Sequence, residues 1–87
     1  MNALFLSIRE LLFDQWDPLQ VGDNKNVIDE YDQYIPRFIE IMENGGSSGE
    51  LEVALLNVEM ALRANIGLEK RQIISRKMME LFNIHRK

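Results

Sequence analysis

The sequence predicts an all-α protein, a single small domain of about four helices around one core. Apolar residues recur at helical spacing in four segments, Gly and Pro punctuate the connections, and no apolar–polar alternation is long enough for a β-strand. A chain of 87 residues suffices for one domain with a modest core. An acidic loop that contains Trp16, Asp17 and Pro18 separates the first two predicted helices.

The first helix is predicted over residues 2–14, and a turn-rich loop follows it. Its apolar stripe consists of Leu4, Phe5, Ile8, Leu11 and Leu12. The stripe is lost at residues 15–17, where Pro18 biases Asp17 toward extended backbone and Gly22 introduces turn chemistry.

The second helix contains Pro36, and this residue leaves two arrangements open. Either the helix kinks at the proline, or residues 28–34 form a separate short turn and the main helix begins near Ile35. The second arrangement is favoured. The helix ends at Asn44, Gly45 and Gly46, because glycine tolerates the left-handed backbone that stops a helix.

The third and fourth helices are delimited by capping signals. Ser47 and Glu50 fit a capping box at the start of the third helix, and Gly67 is expected to stop it near residue 66. The fourth helix is predicted over Leu68 to Asn83. The shared core is predicted to contain Ile8, Leu11, Leu12, Phe38, Ile39, Leu55, Val58, Leu62, Ile74, Met78 and Phe82.

Charge is divided unevenly along the chain, whose formal net charge is −4. Residues 1–50 carry ten Asp and Glu against three Lys and Arg, whereas residues 51–87 carry four against seven, so the two parts have net charges of −7 and +3. This acidity disfavours nucleic-acid binding and favours a basic protein partner, unless it serves solubility alone. No apolar run of membrane-spanning length, no basic leader and no Cys are present, so a cytoplasmic location is expected.

The residues that catalysis usually requires are scarce. The single His, His85, lies near the C-terminal end, and the serines have no surrounding motif of an activated nucleophile. The carboxylates and amides of residues 23–32 are oxygen donors, but Lys25 and Val27 occupy positions where a calcium loop needs ligands. We therefore expect no enzyme activity, no metal and no cofactor, and helix capping is the alternative role of these side chains.

The loop before the second helix is the predicted partner-binding surface. Its candidate contact residues are Asp23, Asp29, Glu30, Tyr31, Asp32 and Tyr34. Partly exposed aromatic residues among carboxylates can form a protein-binding hot spot, although their large apolar areas could instead anchor the loop to the core. Tyr31 and Tyr34 are the preferred contact residues, whereas for Trp16 the core is favoured and the interface stays open as the alternative.

Two motifs give the chain a family resemblance. Trp16-Asp17-Pro18 and Asp29-Glu30-Tyr31-Asp32-x-Tyr34, followed later by Gly67-Leu68, resemble the small uncharacterised bacterial family of YugE-like proteins. The resemblance extends over about residues 4–68, and the chain departs from it at Leu19, where isoleucine is usual, and in a linker at 45–49 that is unusually rich in Gly and Ser.

The resemblance implies a small all-helical protein, and similar proteins occur among candidate immunity proteins that are paired with bacterial toxins. Together with the acidic loop, it predicts a non-enzymatic module that neutralises a basic toxin domain such as a nuclease. The alternative function is a small structural or regulatory subunit that associates with itself or docks on another enzyme. The sequence leaves the oligomeric state open.

Overall fold

Four α-helices form the protein in the computed structural model, which describes residues 2–86 apart from the side chain of Lys25. The helices are α1 (Ala3–Leu11), α2 (Ile35–Glu43), α3 (Ser48–Ala61) and α4 (Leu68–His85). A π-helical turn, Leu12–Trp16, continues α1, and two 3-10 turns, Lys25–Val27 and Asp32–Tyr34, lie before α2. No β-strand occurs within residues 2–86, so the predicted all-α class is confirmed.

The long helix α4 packs against both α1 and α3, and α2 completes the core. Eight of the eleven predicted core residues are buried, namely Ile8, Leu11, Leu12, Phe38, Leu55, Ile74, Met78 and Phe82. The other three, Ile39, Val58 and Leu62, are only half-buried and pack against the edge of the core. Their burial was therefore predicted too strongly.

The core also contains residues outside that predicted set. These are Phe13, Trp16, Tyr31, Ile35, Ile41, Met42 and Leu51. Trp16 is fully buried, which settles its position in the core and not at the surface. Its ring meets those of Tyr31 and Phe38 edge to face, with centroids 5.3 and 6.4 Å apart.

The helical backbone at the end of α1 runs farther than predicted and ends in a left-handed residue. The N–H of Asp17 donates to the carbonyl of Leu12 at 2.8 Å, which closes the wide π-helical turn. Asp17 then has φ 36° and ψ 59°, so the expected extended backbone before Pro18 is wrong. Asp tolerates this region better than most residues, and its side chain gains three hydrogen bonds there.

The start and end of α2 agree with the favoured arrangement. The helix begins at Ile35, and Pro36 occupies its first turn, where a missing N–H leaves no hydrogen bond unmade. At its end Gly45 has φ 80°, and the N–H of Gly46 donates to the carbonyl of Ile41 at 2.8 Å. The N–H of Gly45 also donates to the carbonyl of Met42 at 3.1 Å, so two hydrogen bonds close the end of the helix. The position of this glycine stop was predicted from the Asn-Gly-Gly sequence.

The end of α3 differs from the prediction. The Ser47 hydroxyl accepts from the Glu50 N–H as expected, but the helix ends at Ala61 and not near residue 66. Arg63 is the left-handed residue, with φ 58°, and the N–H of Ala64 donates to the carbonyl of Glu59. Gly67 instead precedes α4, so a Schellman motif without glycine ends α3.

Candidate functional site

The loop between α1 and α2 is organised by the carboxylate of Asp17. Its oxygens accept from the backbone N–H groups of Val21 and Gly22 at 2.9 and 2.8 Å. A Cβ atom on Gly22 would lie 2.8 Å from Asp17 Oδ2, so glycine permits this close approach. The first turn of the loop is therefore built by side-chain to backbone hydrogen bonds.

Tyr31 fastens the far end of the loop to its beginning. Its hydroxyl donates to Asp17 Oδ1 at 2.6 Å and accepts from the N–H of Leu19 at 3.0 Å. The side chain is only 2% exposed, because its ring packs beside Trp16. The prediction of Tyr31 as an exposed contact residue is therefore wrong, and its role is to hold the loop against the core.

Asp32 belongs to a half-buried ion pair with Arg9 on α1. The Nε atom of Arg9 donates to Asp32 Oδ1 at 3.0 Å, and the second donor of the guanidinium binds the other carboxylate oxygen. These hydrogen bonds raise the pKa of Arg9. Asp32 thus joins the loop to α1, and its charge is matched within the protein, contrary to the expectation that it serves a partner.

Three predicted carboxylates remain at the surface, those of Asp23, Asp29 and Glu30. Tyr34 is half-buried and lines a groove of about 280 Å³ between α2 and α3, together with Arg37 and the exposed Val53. Of the six predicted contact residues, these four keep a position from which a partner could be reached. We now use the name acidic loop in a narrower sense, for the three exposed carboxylates Asp23, Asp29 and Glu30 of the segment between α1 and α2.

A buried ionic network was missed by the sequence analysis. The carboxylate of Glu59 is fully buried and accepts from Trp16 Nε1 at 3.0 Å, from the N–H of Ile66 at 2.9 Å, and from Arg71 Nε at 3.0 and 3.2 Å. Arg71 also donates to the side-chain oxygen of Asn65 at 3.2 Å. Glu59 lies one turn after Leu55 on the buried face of α3, and this position was the available signal.

The described residues contain no group of three metal-ligating His, Cys, Asp or Glu side chains that could hold an ion. Lys25, whose position argued against a calcium loop, has a side chain outside the described part. Ser7 Oγ and His85 Nε2 lie 3.3 Å apart between α1 and α4. No carboxylate among the described side chains is hydrogen-bonded to this imidazole, so the pair lacks the orienting group of a catalytic triad.

Replacing Tyr31 by Phe should alter the dependence of stability on pH. Burial raises the pKa of Tyr31 well above its ordinary value near 10, and the hydrogen bond to Asp17 raises it further. Above about pH 10 the unfolded chain then loses this proton more readily than the folded protein, and stability falls as the pH rises. The variant lacks this loss, so the difference in unfolding free energy between wild type and Tyr31→Phe should shrink from pH 8 to pH 11.

Urea unfolding monitored by circular dichroism at each pH measures this difference. At pH 8 the variant should be the less stable protein by about 1 to 3 kcal/mol, because the Leu19 N–H and the Asp17 carboxylate lose a partner. Tyr34→Phe is the matched control, since it removes the other tyrosine hydroxyl without affecting Asp17. A difference for Tyr31→Phe that stays constant or grows with pH contradicts the assignment.

Comparison with known proteins adds no relative, because no family model, curated protein or solved structure matches the chain. The resemblance to the YugE-like proteins stays a prediction from the motifs at residues 16–34 and 67–68. No helix in the described part of the chain has the length and apolar character that crossing a membrane requires.

Proposed function

We propose that the protein is a non-enzymatic, cytoplasmic binding module that docks a basic protein partner through the acidic loop. The observation that carries this proposal is the exposure of Asp23, Asp29 and Glu30 on a segment that the Asp17–Tyr31 hydrogen bond ties to the core. Charged groups on a fixed loop attract a cationic surface and set its orientation.

The order of this loop favours binding energetically. A segment that becomes ordered only in the complex gives up part of its interaction free energy to lost conformational freedom. Here the carboxylate of Asp17 and the hydroxyl of Tyr31 already fix the backbone at residues 19, 21 and 22. Tyr31 and Asp32 therefore contribute indirectly, by positioning the acidic loop.

Tyr34 supplies the apolar part of the proposed contact. The groove that it lines also contains Val53, which is 58% exposed, and the aliphatic stem of Arg37 can cover part of it. Tyrosine contributes well to interfaces, because it buries a large area at little entropic cost. The proposed surface thus combines charge for steering with one aromatic side chain for affinity.

The partner class follows from charge and from the family resemblance. The first fifty residues carry a net charge of −7, which would attract a basic partner. A domain that itself binds an anionic ligand, such as a nuclease domain, is basic in this way. We propose that the partner is a basic bacterial toxin domain and that the acidic loop covers its basic site. This assignment also rests on the resemblance to the YugE-like family, since similar proteins occur among candidate immunity proteins that are paired with bacterial toxins.

The test begins with affinity capture of the partner from the native host and continues with binding kinetics. The double variant Asp29→Lys/Glu30→Lys should slow association and flatten its salt dependence, whereas Tyr34→Ala should mainly speed dissociation. Glu69→Lys is the matched control, since it reverses an exposed carboxylate on α4. If the double variant binds and protects against toxicity as well as wild type does, the acidic loop is not the docking surface.

A further inference from the structure

A second surface lies between α1 and α4, where a groove of about 410 Å³ opens to solvent. The α4 wall consists of Lys77, Glu80, Leu81 and Ile84, which have the spacing i, i+3, i+4 and i+7. In knobs-into-holes packing, four residues of one helix with this spacing surround one side chain of the facing helix. The α1 wall extends from Ser7 to Gln15, a length of about 12 Å or two helical turns.

The floor of this groove is apolar. Leu11 is buried at its base, Leu81 is half-buried, and Ile84 is 65% exposed at its edge. An exposed isoleucine that continues a floor of leucines leaves apolar area which a docked side chain would remove from water. The dimensions and the floor fit one face of an α-helix.

The rim of the groove is acidic. Glu10 and Glu80 are exposed on opposite walls, and Asp14 also lines the α1 side. Among the described side chains that line the groove, Lys77 is the one basic residue, and it donates to the side-chain oxygen of Gln15 at 2.5 Å. Carboxylates on both walls of an apolar groove complement a helix that carries cations on both sides of an apolar stripe.

We propose that the α1–α4 groove binds an amphipathic helix of a partner protein, with apolar residues at i, i+3 or i+4 and i+7 facing the floor and Lys or Arg on both flanks. The site is separate from the acidic loop, since none of Asp23, Asp29 and Glu30 lines it. The proposal that this groove binds a helix therefore does not depend on the proposed function of the acidic loop.

A designed peptide tests the groove directly. The probe is a fluorescein-labelled helix of about four turns with leucines at the stated spacing and lysines elsewhere. Two controls are an isomer with scrambled order, which has no apolar face, and a version with Glu in place of Lys. Fluorescence anisotropy should show that the wild-type protein binds the probe at least about tenfold more tightly than either control, because both the stripe and the cations are recognised.

Variants of the protein locate the binding site. Ile84→Gln should weaken binding of the probe by about tenfold, because one apolar contact is lost. Leu68→Gln is the matched control, since Leu68 is similarly exposed, at 61%, but lies outside the groove. Glu10→Gln/Glu80→Gln should weaken binding and reduce its salt dependence, whereas Glu69→Gln and Asp29→Asn/Glu30→Gln should change neither.

Three results would overturn the proposal. The first is equal affinity for the probe and its scrambled isomer, and the second is an equal loss of affinity in Ile84→Gln and Leu68→Gln. The third is a wild-type dimer in sedimentation analysis that Ile84→Gln converts to monomer, because a second copy of the chain would then occupy the groove. Methyl NMR shifts induced by the probe at Leu11, Leu81 and Ile84 would support the assigned position.

Discussion

Replacing Arg71 by Met is expected to lower the free energy of unfolding by about 3 to 5 kcal/mol, because it leaves the fully buried carboxylate of Glu59 without its cation. The two remaining donors, Trp16 Nε1 and the N–H of Ile66, are neutral and cannot replace the charge. The effect should be large although methionine fills much of the same volume.

Urea unfolding measures this loss, and two further variants isolate its cause. Arg76→Met removes an exposed cation from the same helix and should change stability by less than about 0.5 kcal/mol. Glu59→Gln/Arg71→Met should be more stable than Arg71→Met alone, since a neutral amide replaces the uncompensated charge. A loss below about 1 kcal/mol for Arg71→Met would show that water reaches Glu59.

Replacing Leu55 by Ala should lower the free energy of unfolding by about 2 to 5 kcal/mol. Leu55 is fully buried in the middle of α3, on the face that packs against the shared core. The variant loses the transfer free energy of the removed carbons and leaves a cavity that its neighbours fill only in part.

Val53→Ala is the matched control on the same helix, because Val53 is 58% exposed and loses little buried area. Chemical unfolding at constant pH should separate the two variants clearly. If Leu55→Ala costs less than about 1 kcal/mol, Leu55 is not part of a close-packed core.

The elements that could be predicted from the sequence are those with local causes. Three such features act within a few residues and occur where they were predicted: the capping serine of α3, the glycine stop of α2, and Pro36 in the first turn of α2. Helical spacing likewise identified most of the core, since burial of a helix face depends mainly on its own apolar stripe.

The features that the sequence did not reveal depend on distant partners. The early end of α3 places Ile66 where its N–H can donate to Glu59, and the same carboxylate also accepts from Trp16 and Arg71. These groups are separated by up to 55 residues in sequence, from Trp16 to Arg71, so no local pattern connects them. The prediction that Gly67 ends α3 was therefore consistent with the local sequence, but the predicted position of the helix end was wrong.

The candidate site shows the same division. Charge composition indicated an acidic surface, and Asp23, Asp29 and Glu30 lie exposed. Sequence could not show that Asp32 pairs with Arg9, 23 residues away, or that Tyr31 turns inward to Asp17. The polar residues that organise the loop and those left for a partner are chemically alike, and only the fold separates them.

Hydrogen–deuterium exchange with the captured basic partner tests the central claim, docking through the acidic loop, most directly. We expect the amides of residues 19–30 to gain protection in the complex, and Asp29→Lys/Glu30→Lys to abolish this protection without altering exchange in free α3. Unchanged exchange at residues 19–30 in a complex that protects other segments would contradict the account.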